Sequence, residues 1–342
     1  MKKLSLSFLT ILLAATVVVA RKSCPNPDES ENSFIGMWGM SIESGGVAWL
    51  HVHENQGYLD GELLWIGGSV LPVSDMYLVD DNTLVVTRTG EKVYDKEDAD
   101  KKRTHIRTWT LRITKTGETI TGSMTGPSWE GMGEQVSLFK GKRMPPVGPA
   151  PDLDTIKYGE PITLFNGKDT KGWRPIDPKK ANGFKVVNGT LQNDPVQPED
   201  GTYLSYGNLR TEAEFNDFNL KLEVNVPEGH NSGIFLKGLY EVQVVDSYGS
   251  PVDSHNMGAL YSRITPTEAV EKPGGEWQTL DITLVDRHVT IILNGTKIID
   301  NKAVHGPTGG AMSPDVFAPG PLYLQGDHGN VAYRNIILTP VL

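Results

Sequence analysis

Two Asn-Gly dipeptides set inside apolar runs constrain this chain more than any other feature. Val186-Val187-Asn188-Gly189-Thr190-Leu191 and Ile291-Ile292-Leu293-Asn294-Gly295-Thr296-Lys297-Ile298-Ile299 each interrupt strand-forming residues with a turn pair. Asn and Gly accept the positive φ angles of a type I′ turn, whose twist matches that of antiparallel strands, so each run reads as a tight hairpin. Leu220 to Val226, Leu280 to Val285, Pro321 to Gln325 and Ala332 to Leu338 add further short apolar runs, and no long amphipathic helix is visible. The pattern predicts a many-stranded antiparallel sandwich of the jelly-roll kind over residues 156–342.

The N-terminal part follows the same grammar with different punctuation. From Phe34, short alternating runs recur at near-regular spacing: Val47 to His53, Tyr58 to Trp65, Thr83 to Thr87, Thr108 to Ile113 and Thr119 to Met124, with turn signals between them. This predicts an antiparallel β-barrel or sandwich over 33–144. Pro145 to Asp154 (PPVGPAPDLD) is a Pro-rich connector, which makes 145–155 a linker. The expected fold class is all-β in two domains, and 342 residues are long for one sandwich. The charge-dense run Lys92 to Arg103 reads as a solvated hairpin tip.

Met1 to Ala20 has a basic start at Lys2 and Lys3, an apolar run and a small-residue end, the pattern of a secretory signal peptide. The expected location is therefore outside the cytoplasm, periplasmic or extracellular, with no membrane span once the signal is removed. The net charge of −10 without a basic block argues against nucleic acid as a partner. The single cysteine, Cys24, allows neither an internal disulfide nor a Cys-based metal site.

Chemistry-bearing residues concentrate in two places. In Ser232 to Asp246 (SGIFLKGLYEVQVVD), an apolar strand carries Glu241 and Gln243, which share a face because strand faces alternate every residue. Asp246 follows at opposite parity to Glu241. Two polar groups side by side in an apolar strand either line a wet cavity or are satisfied in a network. The second place is Leu322 to Asn330 (LYLQGDHGN), where a strand ends in Gln325, Asp327 and His328. His328 can move a proton near neutral pH. Asp327 and His328 are neighbours, so on an extended backbone their side chains diverge.

Residues 160–342 resemble the 3-keto-disaccharide hydrolase family. The matching motifs are Leu164-Phe165-Asn166-Gly167-Lys168-Asp169 with Gly172-Trp173, Asn231-Ser232-Gly233-Ile234-Phe235-Leu236, Tyr240-Glu241-Val242-Gln243-Val244, Gly258-Ala259-Leu260-Tyr261, Gly275-Glu276-Trp277, Leu293-Asn294-Gly295, and Leu324-Gln325 with His328-Gly329 and Arg334-Asn335-Ile336. They fall in family order. The resemblance implies a concanavalin A-like jelly roll that cleaves glycosides oxidised to a ketone at C3. Lys237 departs from the family's usual Arg, and Gly326-Asp327 makes the run before His328 one residue longer. Exported β-glucanases of jelly-roll fold carry Glu-x-Asp-x-x-Glu on the equivalent strand; here the centre is Gln243 and the last position Asp246.

A ketone at C3 acidifies the C2 proton, so cleavage needs a base, an acid for the C1 leaving group and donors for the enolate oxygen. Glu241 and His328 are expected to be that base and acid, in either order. Lys237 is expected at the enolate oxygen, and Gln243, Gln325, Asp246 and Asp327 around the sugar. No cofactor is required; a divalent ion could be held by Glu241, Asp246 and His328, although the spacing matches no standard metal motif. The expected partner is a small carbohydrate, with a homodimer a further option. Two rival readings remain: a retaining glycosidase using Glu241 and Asp246 on unoxidised glycans, and a non-catalytic carbohydrate-binding protein. Elsewhere, His51 and His53 share one strand face at a spacing some zinc sites use, without an evident third ligand. Trp38, Trp49 and Trp65 read as core or rim. Of the loop histidines His230, His255 and His305, His255 is the one expected near a cleft.

Overall fold

The computed structural model describes residues 33–94, 97, 100–128 and 132–342. The expected signal peptide and Cys24 lie outside the described residues. Among the described residues, nine strands, β1 (Gly36–Ile42), β2 (Val47–Asn55), β3 (Tyr58–Trp65), β4 (Gly67–Pro72), β5 (Asp75–Asp80), β6 (Thr83–Tyr94), β7 (Arg103–Thr116), β8 (Thr119–Pro127) and β9 (Glu134–Met144), make one antiparallel sheet. Its order is β4-β3-β2-β1-β9-β8-β7-β6-β5. The sheet packs Trp38, Met40, Leu50, Leu63, Leu84, Leu111 and Ile113 into one core of its own. The charge-dense run falls at the β6–β7 connection, where Tyr94 pairs with Arg103.

Thirteen strands follow: β10 (Ile162–Thr163), β11 (Trp173–Pro175), β12 (Phe184–Val187), β13 (Thr190–Asn193), β14 (Leu209–Thr211), β15 (Phe218–Asn225), β16 (Asn231–Leu236), β17 (Tyr240–Val245), β18 (Trp277–Val285), β19 (His288–Leu293), β20 (Thr296–Ala303), β21 (Tyr323–Leu324) and β22 (Val331–Pro340). They form two antiparallel sheets, β12-β13-β22-β15-β18-β19-β20 with β10 beside β22, and β11-β14-β21-β16-β17. Both Asn-Gly pairs make the tight turns, β12 to β13 and β19 to β20, with Asn188, Gly189, Asn294 and Gly295 all at positive φ. Leu220, Leu222 and Val224 of β15 share one hydrophobic core with Ile234 and Leu236 of β16, Val242 and Val244 of β17, and Leu324 of β21. The fold is all-β, with two sheets packed face to face as in a jelly roll. Among the described residues no helix is long and apolar enough to cross a membrane.

The first sheet joins this sandwich through strands that are apolar on both faces. Along β2, Ala48, Leu50 and Val52 enter the sheet's own core, whereas Val47 and Trp49 enter the sandwich core. The Arg263 guanidinium stacks 4.1 Å over the buried Trp49 ring and donates to the Pro307 carbonyl. Burial pulls the Arg263 pKa down to about 9, against the pull of Tyr240 and Glu62. A cation desolvated on an aromatic face contributes about 2 kcal/mol. Around this anchor the Val70 N–H donates to Ser262 Oγ (2.9 Å), the Gly310 N–H donates to the Ile66 carbonyl (3.1 Å), and Ser69 Oγ lies 2.8 Å from His255 Nε2.

Removing the Trp49 ring leaves a large hole at this junction, so Trp49→Ala is expected to lower stability by about 3–5 kcal/mol in urea unfolding. A loss below about 1 kcal/mol would mean that Trp49 does not hold the two parts together.

Candidate active site

The outer face of the five-stranded sheet carries the candidate site residues. Ser232, Ile234 and Leu236 of β16 are turned to the core side of the sheet, so Gly233 and Phe235 point out. The same alternation turns Glu241 and Gln243 of β17 outward, with Tyr323 and Gln325 of the β21 segment. Register brings these residues together: Phe235 pairs with both Glu241 and Tyr323, and Gly233 pairs with Gln243. The Phe235 and Tyr323 rings stack at 3.9 Å, and the Tyr323 hydroxyl donates to the Gly310 carbonyl at 2.7 Å.

Glu241 lies over Gly233. A Cβ at position 233 would stand 2.3 Å from Glu241 Oε1, so only glycine leaves room for the carboxyl. The edge of β17 is covered by the segment 258–261: Tyr261 N–H donates to the Glu241 carbonyl, and Gln243 exchanges hydrogen bonds with Gly258 and Ala259. Thr308 Oγ1 accepts from the Glu241 N–H at 2.9 Å. The carboxyl itself is buried and has no hydrogen-bond partner among the described residues. Its pKa is pushed up to about 8, first by burial and then by the negative charge of Asp327. At neutral pH Glu241 therefore carries its proton.

Across the cleft, Asp327 and His328 form a pair. The chain bends at these two residues, and His328 Nδ1 lies 2.7 Å from Asp327 Oδ1. This corrects the expectation of divergent side chains, which assumed an extended backbone. The Asp327 hydrogen bond raises the His328 pKa, against partial burial. Burial works to raise Asp327, but the hydrogen bond and charge of His328, its own backbone N–H and Lys180 together lower it.

Glu241, Gln243, Gln325, Asp327 and His328 line one cavity of about 310 Å³ with Asn208, Asn231, Tyr261 and Tyr323. Gly67 and Gly68 of β4 and Gly309 and Gly310 complete it. The β3–β4 turn of the first sheet is thus a wall of the cleft. A Cβ on Gly309 would stand 2.4 Å from the Gly68 carbonyl oxygen, so the two backbones touch directly. A larger hollow of about 670 Å³ beside Lys140, Lys142 and Asp315 offers no histidine and no buried carboxyl, so the smaller cleft is the better candidate.

Two candidates lie elsewhere. β17 ends at Val245, and the Asp246 carboxylate beyond it accepts from the Gly229 N–H at 2.9 Å. Lys237 sits at positive φ in the β16–β17 turn and donates to the Val316 carbonyl at 3.2 Å, next to Asp217 and Arg287. Neither borders the cleft. Glu241, Asp246 and His328 therefore do not converge, so these three residues do not fit the ion considered for them. His255 does not line the cleft but packs edge-on against Tyr261, which does, at 4.8 Å between ring centroids. Sequence alone does not single out Asn208, Asn231, Tyr261 or the Gly67–Gly68 wall as site residues, although Asn231 and Tyr261 belong to motifs that carry the family resemblance.

Residues 160–339 match the model of the 3-keto-alpha-glucoside-1,2-lyase-like domain. A 3-keto-disaccharide hydrolase of Bacteroides thetaiotaomicron is 28% identical over 153 residues, 35% of this chain and 51% of that protein. The chain thus spans about half the length of the curated relative it matches. Among solved structures, a glycosyl hydrolase candidate of Parabacteroides distasonis is 29% identical with a TM-score of 0.42, covering 56% of this chain and 92% of that one. The carbohydrate-binding module CBM66 of Bacillus subtilis is 11% identical with a TM-score of 0.31, covering 48% of this chain and 93% of that one. With the family model matching more than half of its length, the chain belongs to the 3-keto-alpha-glucoside-1,2-lyase-like family.

Proposed function

We propose that this protein is an exported enzyme that cleaves 3-keto-glycosides by elimination, with hydration of the product as the closing step. The observation that carries this reading is the pairing of a buried, proton-bearing Glu241 with the His328–Asp327 dyad in one cleft. Family membership supports the substrate class, and the leader pattern of residues 1–20 supports export.

His328, its basicity raised by Asp327, removes the C2 proton that the C3 ketone has acidified. The electron pair left at C2 closes a C1–C2 double bond as the C1–O bond breaks. Glu241 gives its proton to the departing oxygen. Water then adds at C1 while a proton returns to C2, which restores the keto sugar and makes the net reaction a hydrolysis. The side-chain amides of Gln243 and Gln325 are the available donors for enolate charge and sugar hydroxyls; Lys237 is too far round the β16–β17 turn to serve. A retaining glycosidase needs two free carboxyl groups about 5–5.5 Å apart. Asp246 is bound to Gly229 instead, and the Asp327 carboxylate is engaged by His328.

Incubation with a disaccharide and with its 3-keto derivative is expected to give cleavage of the keto form alone. Glu241→Gln and His328→Ala should each cut that turnover by at least about a hundredfold with folding intact. Cleavage of the unoxidised sugar would favour the glycosidase, and binding without turnover of either the carbohydrate-binding reading.

The pH profile of kcat/KM should be a bell. Its rising limb follows loss of the proton from His328, and its falling limb near 8 follows loss of the proton from Glu241. In Asp327→Asn, His328 loses the partner that raises it and Glu241 loses a repelling charge. Both limbs should move to lower pH; a falling limb that stays in place would remove Glu241 from the role of acid.

The same carboxyl sets a stability signature. Between its ordinary value of 4.5 and about 8, Glu241 holds its proton only in the native state, so unfolding releases a proton and stability falls as pH rises. The slope is about 1.4 kcal/mol per pH unit at most. Glu241→Gln removes this slope. Its stability relative to the parent should therefore grow from pH 4.5 to 8 and level off above; a margin independent of pH in thermal melts would contradict the buried, protonated state.

A further inference from the structure

Away from the cleft, β2 and β3 bring together three donors of the kind that bind transition metals. His51 and His53, two apart on β2, share the face that Trp49 begins. Glu62 stands directly across from His51 in the β2–β3 register. Glu62 Oε2 is 3.0 Å from His51 Nδ1 and 3.9 Å from His53 Nδ1, and the two imidazole centroids are 5.1 Å apart. One ligand atom from each residue lies within 4.8 Å of the other two. An ion bound tetrahedrally by nitrogen and oxygen ligands holds its donors roughly 3.4 Å apart, so small side-chain rotations suffice to close a shell here.

A second observation points the same way. His53 Nδ1 is shut off from solvent yet has no hydrogen-bond partner among the described residues. A polar atom sealed away without a partner is costly, and an ion between His53 and Glu62 would supply what the protein does not. The three side chains remain about one-third exposed, at 36%, 34% and 39%, which leaves an approach for the ion and an open position for water. Two imidazole nitrogens and one carboxylate suit zinc and its neighbours; magnesium and calcium prefer oxygen ligands throughout.

We propose that His51, His53 and Glu62 form a three-ligand site for a divalent transition-metal ion of the zinc class on the first sheet. The site lies one step along β2 from Trp49, whose ring centroid is 5.8 Å from that of His51. An ion there would clamp β2 to β3, the strand that runs into the turn walling the cleft.

The test uses the full chain, stripped with chelator and dialysed, then titrated with zinc chloride by calorimetry and with cobalt(II) in the visible range. One zinc ion per chain and the cobalt bands of a four- or five-coordinate centre are expected. His53→Ala and the near-isosteric Glu62→Gln should each weaken zinc binding by at least about tenfold, with metal-free melting curves confirming that they fold. Glu241→Gln should bind zinc as the parent does, which separates this site from any ion in the cleft. No binding to the parent at millimolar zinc, or unchanged affinity in both His53→Ala and Glu62→Gln, would overturn the proposal.

Discussion

Every second residue of β16, β17 and β21 points away from the sandwich core, and the site depends on that alternation. Ile234, Val242, Val244 and Leu324 face inward and bind the five-stranded sheet to its partner sheet. Their neighbours Gly233, Glu241, Gln243 and Tyr323 are then forced outward onto one surface. The core thus fixes the cleft: the residues that stabilise the sandwich determine which side chains line the site and how far apart they stand. Gly233 is the point where the alternation would fail with any other residue, because its outward position is occupied by the Glu241 carboxyl.

That surface treats the two groups proposed to transfer protons in opposite ways. Glu241 is buried without a hydrogen-bond partner, so charging it is unfavourable and the proton stays. His328 stands half in solvent and holds a carboxylate, so its charged form is favoured. Asp327 acts on both, through a hydrogen bond to His328 and through repulsion of charge on Glu241. Environments that assign separate roles to groups of one cleft are a recurring pattern in acid–base catalysis. Here one carboxylate helps to set both environments.

What could be read from the sequence was what is local. The two hairpins followed from Asn188-Gly189 and Asn294-Gly295 because a turn is decided by its own residues. The shared face of Glu241 and Gln243 followed from the period of a strand. Asp246 falls outside the site because that period ends at Val245, and the Gly229 N–H, 17 residues earlier, takes its carboxylate. Lys237 falls outside the site because, at positive φ in a tight turn, its side chain leaves the strand faces and donates to the Val316 carbonyl. The Asp327–His328 pair depended on a bend. Glu62 beside His51 depended on strand register across β2 and β3, which single-strand periodicity does not encode.

The largest non-local effect is the use of both faces of β1 to β3. Val47 and Trp49 belong to the sandwich core although their strand belongs to the first sheet, so the two parts share buried surface. One segment, residues 306–310, carries this junction to the cleft. Gly306 lies against the Trp49 ring, Thr308 bonds the Glu241 N–H, Gly309 touches Gly68, and the Gly310 N–H bonds Ile66. Burial is the larger cause of the high Glu241 pKa, and Gly67 and Gly68 help to wall the space that Glu241 faces. The enclosure that favours the protonated form of Glu241 is therefore built by the first sheet as well as by the five-stranded one.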